Sequence, residues 1–245
     1  SIPEGARCVL LGECTHGTQE FYELRAEVTK LLVTARGFRL VCVEADWPFM
    51  WHVNEYAHRR RQRMFPPGAR FPAWMWQNAP FASLVEWLRD GLDRDDVHFF
   101  GLDCYSREES LTELLRYLDL ADPPLAKRVR FASPEEWPKL LSRLQWSAQE
   151  QQQHEEGGEE AAPPSLSSSF SALERFSAEQ NLECMIAAEE YYAKQRLEPP
   201  GSQASWNARD QHMATTLLRV KGLLADPKVV VWAHNSHVGD STGTP

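Results

Sequence analysis

Side chains that can exchange protons or bind metal ions follow each of four short apolar runs in this chain. The first run leads into Gly-Glu-Cys-Thr-His-Gly at residues 12–17. A carboxylate and an imidazole this close together could activate a water molecule, with the imidazole taking its proton. The candidate residues that follow the four runs are Glu13, His16, Glu44, Asp103, His234 and His237.

More than one chemistry is open to these side chains. The pair His234 and His237 could bind a metal ion together with residues of the first two loops. It could instead supply an acid, a donor that stabilises an oxyanion, or an orienting hydrogen bond. Nucleophilic attack by Cys14 has little support, because the chain has no G-x-S-x-G sequence. Walker A and G-x-G-x-x-G sequences are absent too, so no motif indicates nucleotide binding.

The elements that must position these residues are short β-branched strands alternating with helices, a pattern typical of a parallel sheet. Ligands of such sheets bind outside the carboxyl ends of the strands. If the strands are neighbours, the candidate side chains face one crevice. The predicted strands cover residues 8–11, 40–43, 97–100 and 229–233.

A helix is predicted from about Thr18 to Arg36, since apolar residues recur there at helical spacing and Gly37 suits the end of a helix. Arg25 lies at the edge of its apolar face, and its side chain leans toward the helix N-terminus. It could therefore bridge Glu13 and Glu44. The alternative is that it extends into solvent.

Further helical patterns predict a helical insertion at about residues 105–225 within one domain that spans residues 1–245. Residues 149–169 carry almost no apolar side chains, which predicts a flexible loop. The chain stops soon after His237 without a closing helix, so we expect that C-terminal sequence is missing. Trp74 and Trp76 could line a substrate pocket or could simply pack.

Composition narrows the class of protein. The 245 residues carry a net charge of −9, which disfavours nucleic acid and anionic membranes as partners. The cysteine count of five is odd, no pair is spaced C-x-x-C, and three of the five lie in or beside predicted buried strands, which suggests free thiols in a reducing, cytoplasmic location. No stretch approaches the ~20 apolar residues of a membrane span. The oligomeric state cannot be read from these features.

Several stretches together resemble the erythromycin esterase family, in particular its broad homologue branch. The sequence from Gly12 to Phe21, followed by Arg25, resembles the family signature GExxHGxxEF…R. Similar stretches are Glu44-Ala45-Asp46-Trp47, Trp74-Met75-Trp76, Tyr191-Tyr192, Trp206-Asn207-Ala208-Arg209-Asp210 and Trp232-Ala233-His234-Asn235-Ser236-His237.

This resemblance implies a three-layer α/β/α fold with a mainly parallel sheet and a helical lid. It also implies a hydrolase that opens a small-molecule ester or lactone without a metal ion or other cofactor. Carried over to this chain, His16 becomes the general base on water, and the other catalytic candidates are Glu13, Arg25, Glu44, His234 and His237. The predicted substrate contacts are Trp47, Trp74, Trp76, Asp103 and Arg209.

Overall fold

A computed structural model describes residues 2–68, 73–91, 94–145, 171–200 and 202–239. Within them, the predicted α/β class and its parallel sheet are confirmed. Four parallel strands form one sheet in the order β1-β4-β2-β3, so the last strand in the sequence lies between the first and the second. The strands are β1 (Cys8–Leu11), β2 (Leu40–Asp46), β3 (His98–Asp103) and β4 (Val229–Trp232).

Among the described helices, α2, α5 and α9 were not predicted from the sequence. None of the described helices combines the length and the apolar composition that a membrane span requires. The predicted flexible loop at 149–169 lies outside the described residues. The helices are α1 (Gln19–Arg36), α2 (Trp47–Ala57), α3 (Ala79–Asp90), α4 (Arg107–Ala121), α5 (Pro123–Phe131), α6 (137–145, as far as it is described), α7 (Ala172–Leu197), α8 (Ala204–Leu223) and α9 (Asn235–Val238).

The chain divides into two compact units. The first comprises Ser1–Asp103 and Asp210–Pro245, and the second is Cys104–Arg209. In the first unit, alternate strand residues such as Val41 and Val230 are buried against helices α1 to α3. The second unit has an apolar core of its own, formed by residues of α4 to α7.

The predicted limits of α1 are confirmed. The helix begins after Thr18, and it ends at Gly37, whose φ of 69° is the left-handed conformation that glycine adopts without steric cost. The Gly37 N–H donates to the Leu32 carbonyl, which satisfies one of the free acceptors of the last turn. Together β1 and α1 enclose the loop at residues 12–18, so both ends of this loop are fixed.

Strand β3 begins at His98, whose ring stacks on those of His58 and Phe100 at centroid distances of 4.8 and 5.9 Å. Its Nδ1 atom is buried and has no hydrogen-bond partner in the described part of the chain. Burial, helped by the nearby His58, lowers the pKa of His98 to about 4. An unfolded histidine takes its proton near pH 6.5, so between pH 6.5 and pH 4 the unfolded chain binds a proton that the folded chain does not.

Folding stability should therefore fall as the pH drops below 6.5. We expect His98→Phe to keep the ring stacking and to remove this titration. Between pH 7 and pH 5 the variant should lose less stability than the unchanged protein, by up to about 2 kcal/mol or ~4–8 °C in melting temperature at this chain length. Melting curves of both proteins at the two pH values test this. An identical loss in both would show that His98 does not titrate differently on folding.

Candidate active site

Glu13 and His16 form a hydrogen-bonded pair in the loop between β1 and α1. The Glu13 Oε1 atom lies 2.8 Å from His16 Nδ1. Because a carboxylate only accepts hydrogen bonds, His16 carries its proton on Nδ1 and keeps a lone pair on Nε2. Within the described residues no group binds Nε2, and the His16 side chain is 33% exposed. His16 is thus oriented on one side and open to a reactant on the other.

Arg25 holds the second oxygen of the Glu13 carboxylate. Its Nη2 atom donates to Glu13 Oε2 at 2.8 Å, and both side chains are buried. The guanidinium lies between the rings of Tyr22 and Trp232, 4.7 and 4.8 Å from their centroids. Burial lowers the pKa of Arg25, and the Glu13 carboxylate opposes that shift. Glu13 therefore links a buried cation to an accessible imidazole.

Arg25 was predicted to bridge Glu13 and Glu44. The contact with Glu13 is present, and the predicted contact with Glu44 is wrong. Arg25 has no hydrogen bond or ion pair with Glu44 among the described residues. Glu44 lies within β2 rather than beyond its end, because the strand continues to Asp46. Its Oε2 atom accepts the backbone N–H of His234 at 2.7 Å, and its Oε1 atom is 3.3 Å from His237 Nε2. The two buried carboxylates thus have separate partners.

His234 connects the end of β4 to the loop of the Glu13–His16 pair. Its Nε2 atom lies 3.1 Å from the Cys14 carbonyl, which can only accept, so Nε2 carries the proton. Its Nδ1 atom accepts the Ser236 N–H at 3.2 Å. The His234 ring is 5.2 Å from the His16 ring. Both nitrogens of His234 are engaged within the protein, which distinguishes it from His16.

Gly12 permits the close approach of the two loops. A Cβ atom at this position would lie 2.1 Å from Asn235 Oδ1, so the Asn235 side chain would have to rotate away. The Asn235 N–H also donates to the Glu13 carbonyl at 2.8 Å. Gly17, on the other side of the Glu13–His16 pair, has a φ of +83°, a conformation that residues other than glycine rarely adopt.

Asp210 belongs to this cluster, although it was not among the residues predicted from the sequence. Its Oδ1 atom lies 2.5 Å from His237 Nδ1. It ends the stretch of α8 that resembles the esterase family, and this was the one signal that could have identified it. The structure thus brings together Asp210 and the six predicted catalytic candidates, Glu13, His16, Arg25, Glu44, His234 and His237.

The residues predicted to contact substrate differ in their exposure. Trp47 and Trp76 are 0% and 1% exposed, so neither ring reaches the surface and their predicted contact with substrate is not supported. Trp47 stacks on Phe100, and Trp76 donates from Nε1 to the Glu44 carbonyl. Asp103 is also fully buried, and its contact with substrate stays a prediction.

Asp103 lies near a buried histidine of α8. Burial lowers the pKa of His212 to about 4, and the Asp103 carboxylate opposes that shift. Arg209 belongs to the second unit, where its guanidinium lies 4.8 Å from the Tyr105 ring centroid and 5.6 Å from that of Trp206. Its contact with substrate remains a prediction.

Trp74 is 51% exposed and borders a cleft of about 300 Å³. Gly17, the residue after His16, lines this cleft, so the cleft adjoins the loop of the candidate base. Its size is at the lower end of the range for small-molecule sites. The residues that line it are Gly17, Gln19, Tyr22, Trp74, Met75, Asn78, Ala79 and Pro80.

Metal binding by these side chains has no geometric support in the part of the chain that the structure describes. There, no group of three or more histidine, cysteine, aspartate or glutamate side chains is arranged to hold a metal ion.

The chain matches the sequence model of a known family. The sequence model of the erythromycin esterase family matches residues 33–245, a segment that includes Glu44, His234 and His237. The matched segment begins after Glu13, His16 and Arg25. For these three residues, the likeness to the family rests on the sequence signature from Gly12 to Phe21 and Arg25.

Solved structures share the fold. The chain is 19% identical to a succinoglycan biosynthesis protein, with a TM-score of 0.64 over 95% of this chain and 58% of that one. It is 20% identical to a protein from Bacillus cereus, with a TM-score of 0.63 over 94% and 57% of the two chains. A mutant of the erythromycin esterase EreC in its open conformation is 17% identical, with a TM-score of 0.58 over 95% and 61%. The chain thus spans roughly three-fifths of the length of these proteins.

Proposed function

The chain belongs to the erythromycin esterase family, and from this premise we propose that it hydrolyses a small-molecule ester or lactone with water activated by His16. One observation carries the proposal. The His16 ring is fixed by the Glu13 carboxylate at Nδ1, while Nε2 has no partner in the described part of the chain. An imidazole in this tautomer can accept a proton from water at the open nitrogen.

The steps follow from this pair. His16 Nε2 takes a proton from water, and the resulting hydroxide attacks the ester carbonyl carbon to form a tetrahedral intermediate. The carbon–oxygen bond to the leaving group then breaks, and the proton on His16 Nε2 passes to the departing alkoxide. During these steps the Glu13 carboxylate stabilises the imidazolium at 2.8 Å from Nδ1. Arg25 keeps Glu13 in place.

A panel of lactones and linear esters tests the proposal. The purified chain is assayed with added divalent metal ions, without them, and with a chelator, and His16→Asn serves as the inactive control. We expect hydrolysis of at least one ester under all three conditions, and turnover at least ~10²-fold lower with the variant. Activity that chelator abolishes and one ion restores would favour a metal-dependent hydrolase. Binding of a lactone without turnover would favour an inactive binding protein.

Trp74 is proposed to contact the substrate through the cleft beside the loop. An exposed indole offers a flat apolar face, and such aromatic contacts contribute about 0.5–1.5 kcal/mol, or roughly 2–10-fold in binding. Trp74→Ala should therefore raise KM by roughly this factor and change kcat much less. Leu31→Ala, which truncates another exposed apolar side chain of the same unit, is the matched control. Equal kinetics for all three proteins would exclude the cleft as a substrate subsite.

A further inference from the structure

His237 has a carboxylate at each of its two ring nitrogens. The Nδ1 atom lies 2.5 Å from Asp210 Oδ1 and the Nε2 atom 3.3 Å from Glu44 Oε1. Its side chain is 2% exposed, against 33% for His16. Asp210 is on α8 and Glu44 is on β2, so this ring connects a helix to the centre of the sheet.

The contact with Asp210 determines how the His237 ring is used. A carboxylate only accepts, so the proton between the two groups belongs to Nδ1 of the ring. Such a charge-assisted hydrogen bond is short and strongly directional. Without it the ring could rotate, and a rotated ring would no longer present Nε2 to Glu44. Asp210 thus selects which nitrogen Glu44 meets.

The contacts of Glu44 also link the His237 ring to the proposed base, His16. Glu44 also accepts the backbone N–H of His234 at 2.7 Å. The ring of His234 lies 5.2 Å from that of His16. A continuous path of contacts therefore leads from Asp210 through His237 and Glu44 to the residues beside His16.

We propose that Asp210 is a positioning residue of the candidate active site. It fixes the ring orientation of His237, and through His237 it holds the Glu44 carboxylate against the backbone of His234. Asp210 itself does not touch the reacting atoms. Only the kinetic consequence rests on the proposed function, since the state of the His237 ring can be measured without any substrate.

Proton NMR of the full chain in water tests the structural part. The buried His237 Nδ1–H should give a slowly exchanging downfield resonance, which is assigned by its loss in His237→Gln. We expect Asp210→Ala to abolish it and Asp210→Asn to shift it, because an amide is a weaker acceptor. The exposed aspartate Asp119 is the matched control, and Asp119→Ala should leave the resonance in place. A resonance that is unchanged in both Asp210 variants, or absent from the unchanged protein, overturns the proposal.

Steady-state kinetics with an ester from the panel test the effect of Asp210 on turnover. Asp210→Ala should lower kcat by about 10²-fold, the scale of a small misplacement at a reacting centre. KM should stay within about twofold, because Asp210 does not contact the substrate. Asp210→Glu, which restores a carboxylate, should recover part of kcat. An unchanged kcat in Asp210→Ala overturns the positioning role and leaves ester hydrolysis intact. If the unchanged protein hydrolyses no ester, the proposed function fails, and the NMR test still decides the role of Asp210.

Discussion

Replacing His16 by asparagine should lower turnover of the ester substrate by at least ~10²-fold, within the ~10²–10⁴-fold that a general base typically contributes. Asparagine keeps some hydrogen bonding toward Glu13 but cannot take a proton from water. Because His16 is partly exposed and lies in a loop, folding should be unaffected. Initial rates over a range of substrate concentrations, with melting curves of the same samples, measure both effects.

Two further variants make this result specific. His98→Phe alters a histidine at the start of β3 and should leave turnover unchanged. Cys14→Ser removes the thiol of the same loop and should also keep turnover, because the proposed attack is by water. Near-normal rates in His16→Asn combined with loss of activity in Cys14→Ser would replace water activation by a covalent mechanism.

Arg25→Ala should lower the free energy of unfolding by about 3–5 kcal/mol, the range for removing one partner of a buried ion pair. The variant leaves the Glu13 carboxylate buried without its cation and empties the space between the Tyr22 and Trp232 rings. Arg25→Lys should recover only part of the loss, since an ammonium neither stacks as a plane nor offers the guanidinium fork. Denaturant titrations of the three proteins give the comparison.

The exposed pair of Arg7 and Asp226 provides the control, because both side chains are more than half exposed, at 54% and 61%. Arg7→Ala should cost only ~0–1 kcal/mol. Adding Glu13→Gln to Arg25→Ala should restore part of the stability, since it removes the charge left unpaired, and the double-mutant cycle measures the coupling. If Arg25→Ala matched Arg7→Ala, the buried pair would not contribute to stability.

Local signals in the sequence predicted the elements that carry the site. The β-branched run at Val229 to Val231 and the glycine at the end of α1 each depend on a few neighbouring residues. Helix α2 was missed for a physical reason. Nearly all of its residues, from Trp47 to Ala57, are buried, so its sequence has no polar face and no helical periodicity.

The pairing of side chains could not be predicted in the same way. Periodicity placed Arg25 at the edge of an apolar face, but two carboxylates, Glu13 and Glu44, were both plausible partners. Only the strand order decides between them, and this order depends on contacts between residues far apart in sequence. The environment of the tryptophans could not be predicted from local sequence either. Trp74 and Trp76 are two residues apart and of the same type, yet Trp74 borders a cleft and Trp76 lies in the core.

The position of β4 has a consequence for the order in which the protein can assemble. Among the described strands, β1 pairs only with β4, and the register joins Cys8 to Val229. A ribosome therefore releases the loop with the proposed base long before the strand that attaches it to the sheet. Until β4 inserts between β1 and β2, no sheet pairing holds Glu13 and Glu44 near each other. Pairings this distant close slowly, because the entropy of ordering the intervening chain must be lost first. Catalytic competence should thus be the last property that the folding chain acquires.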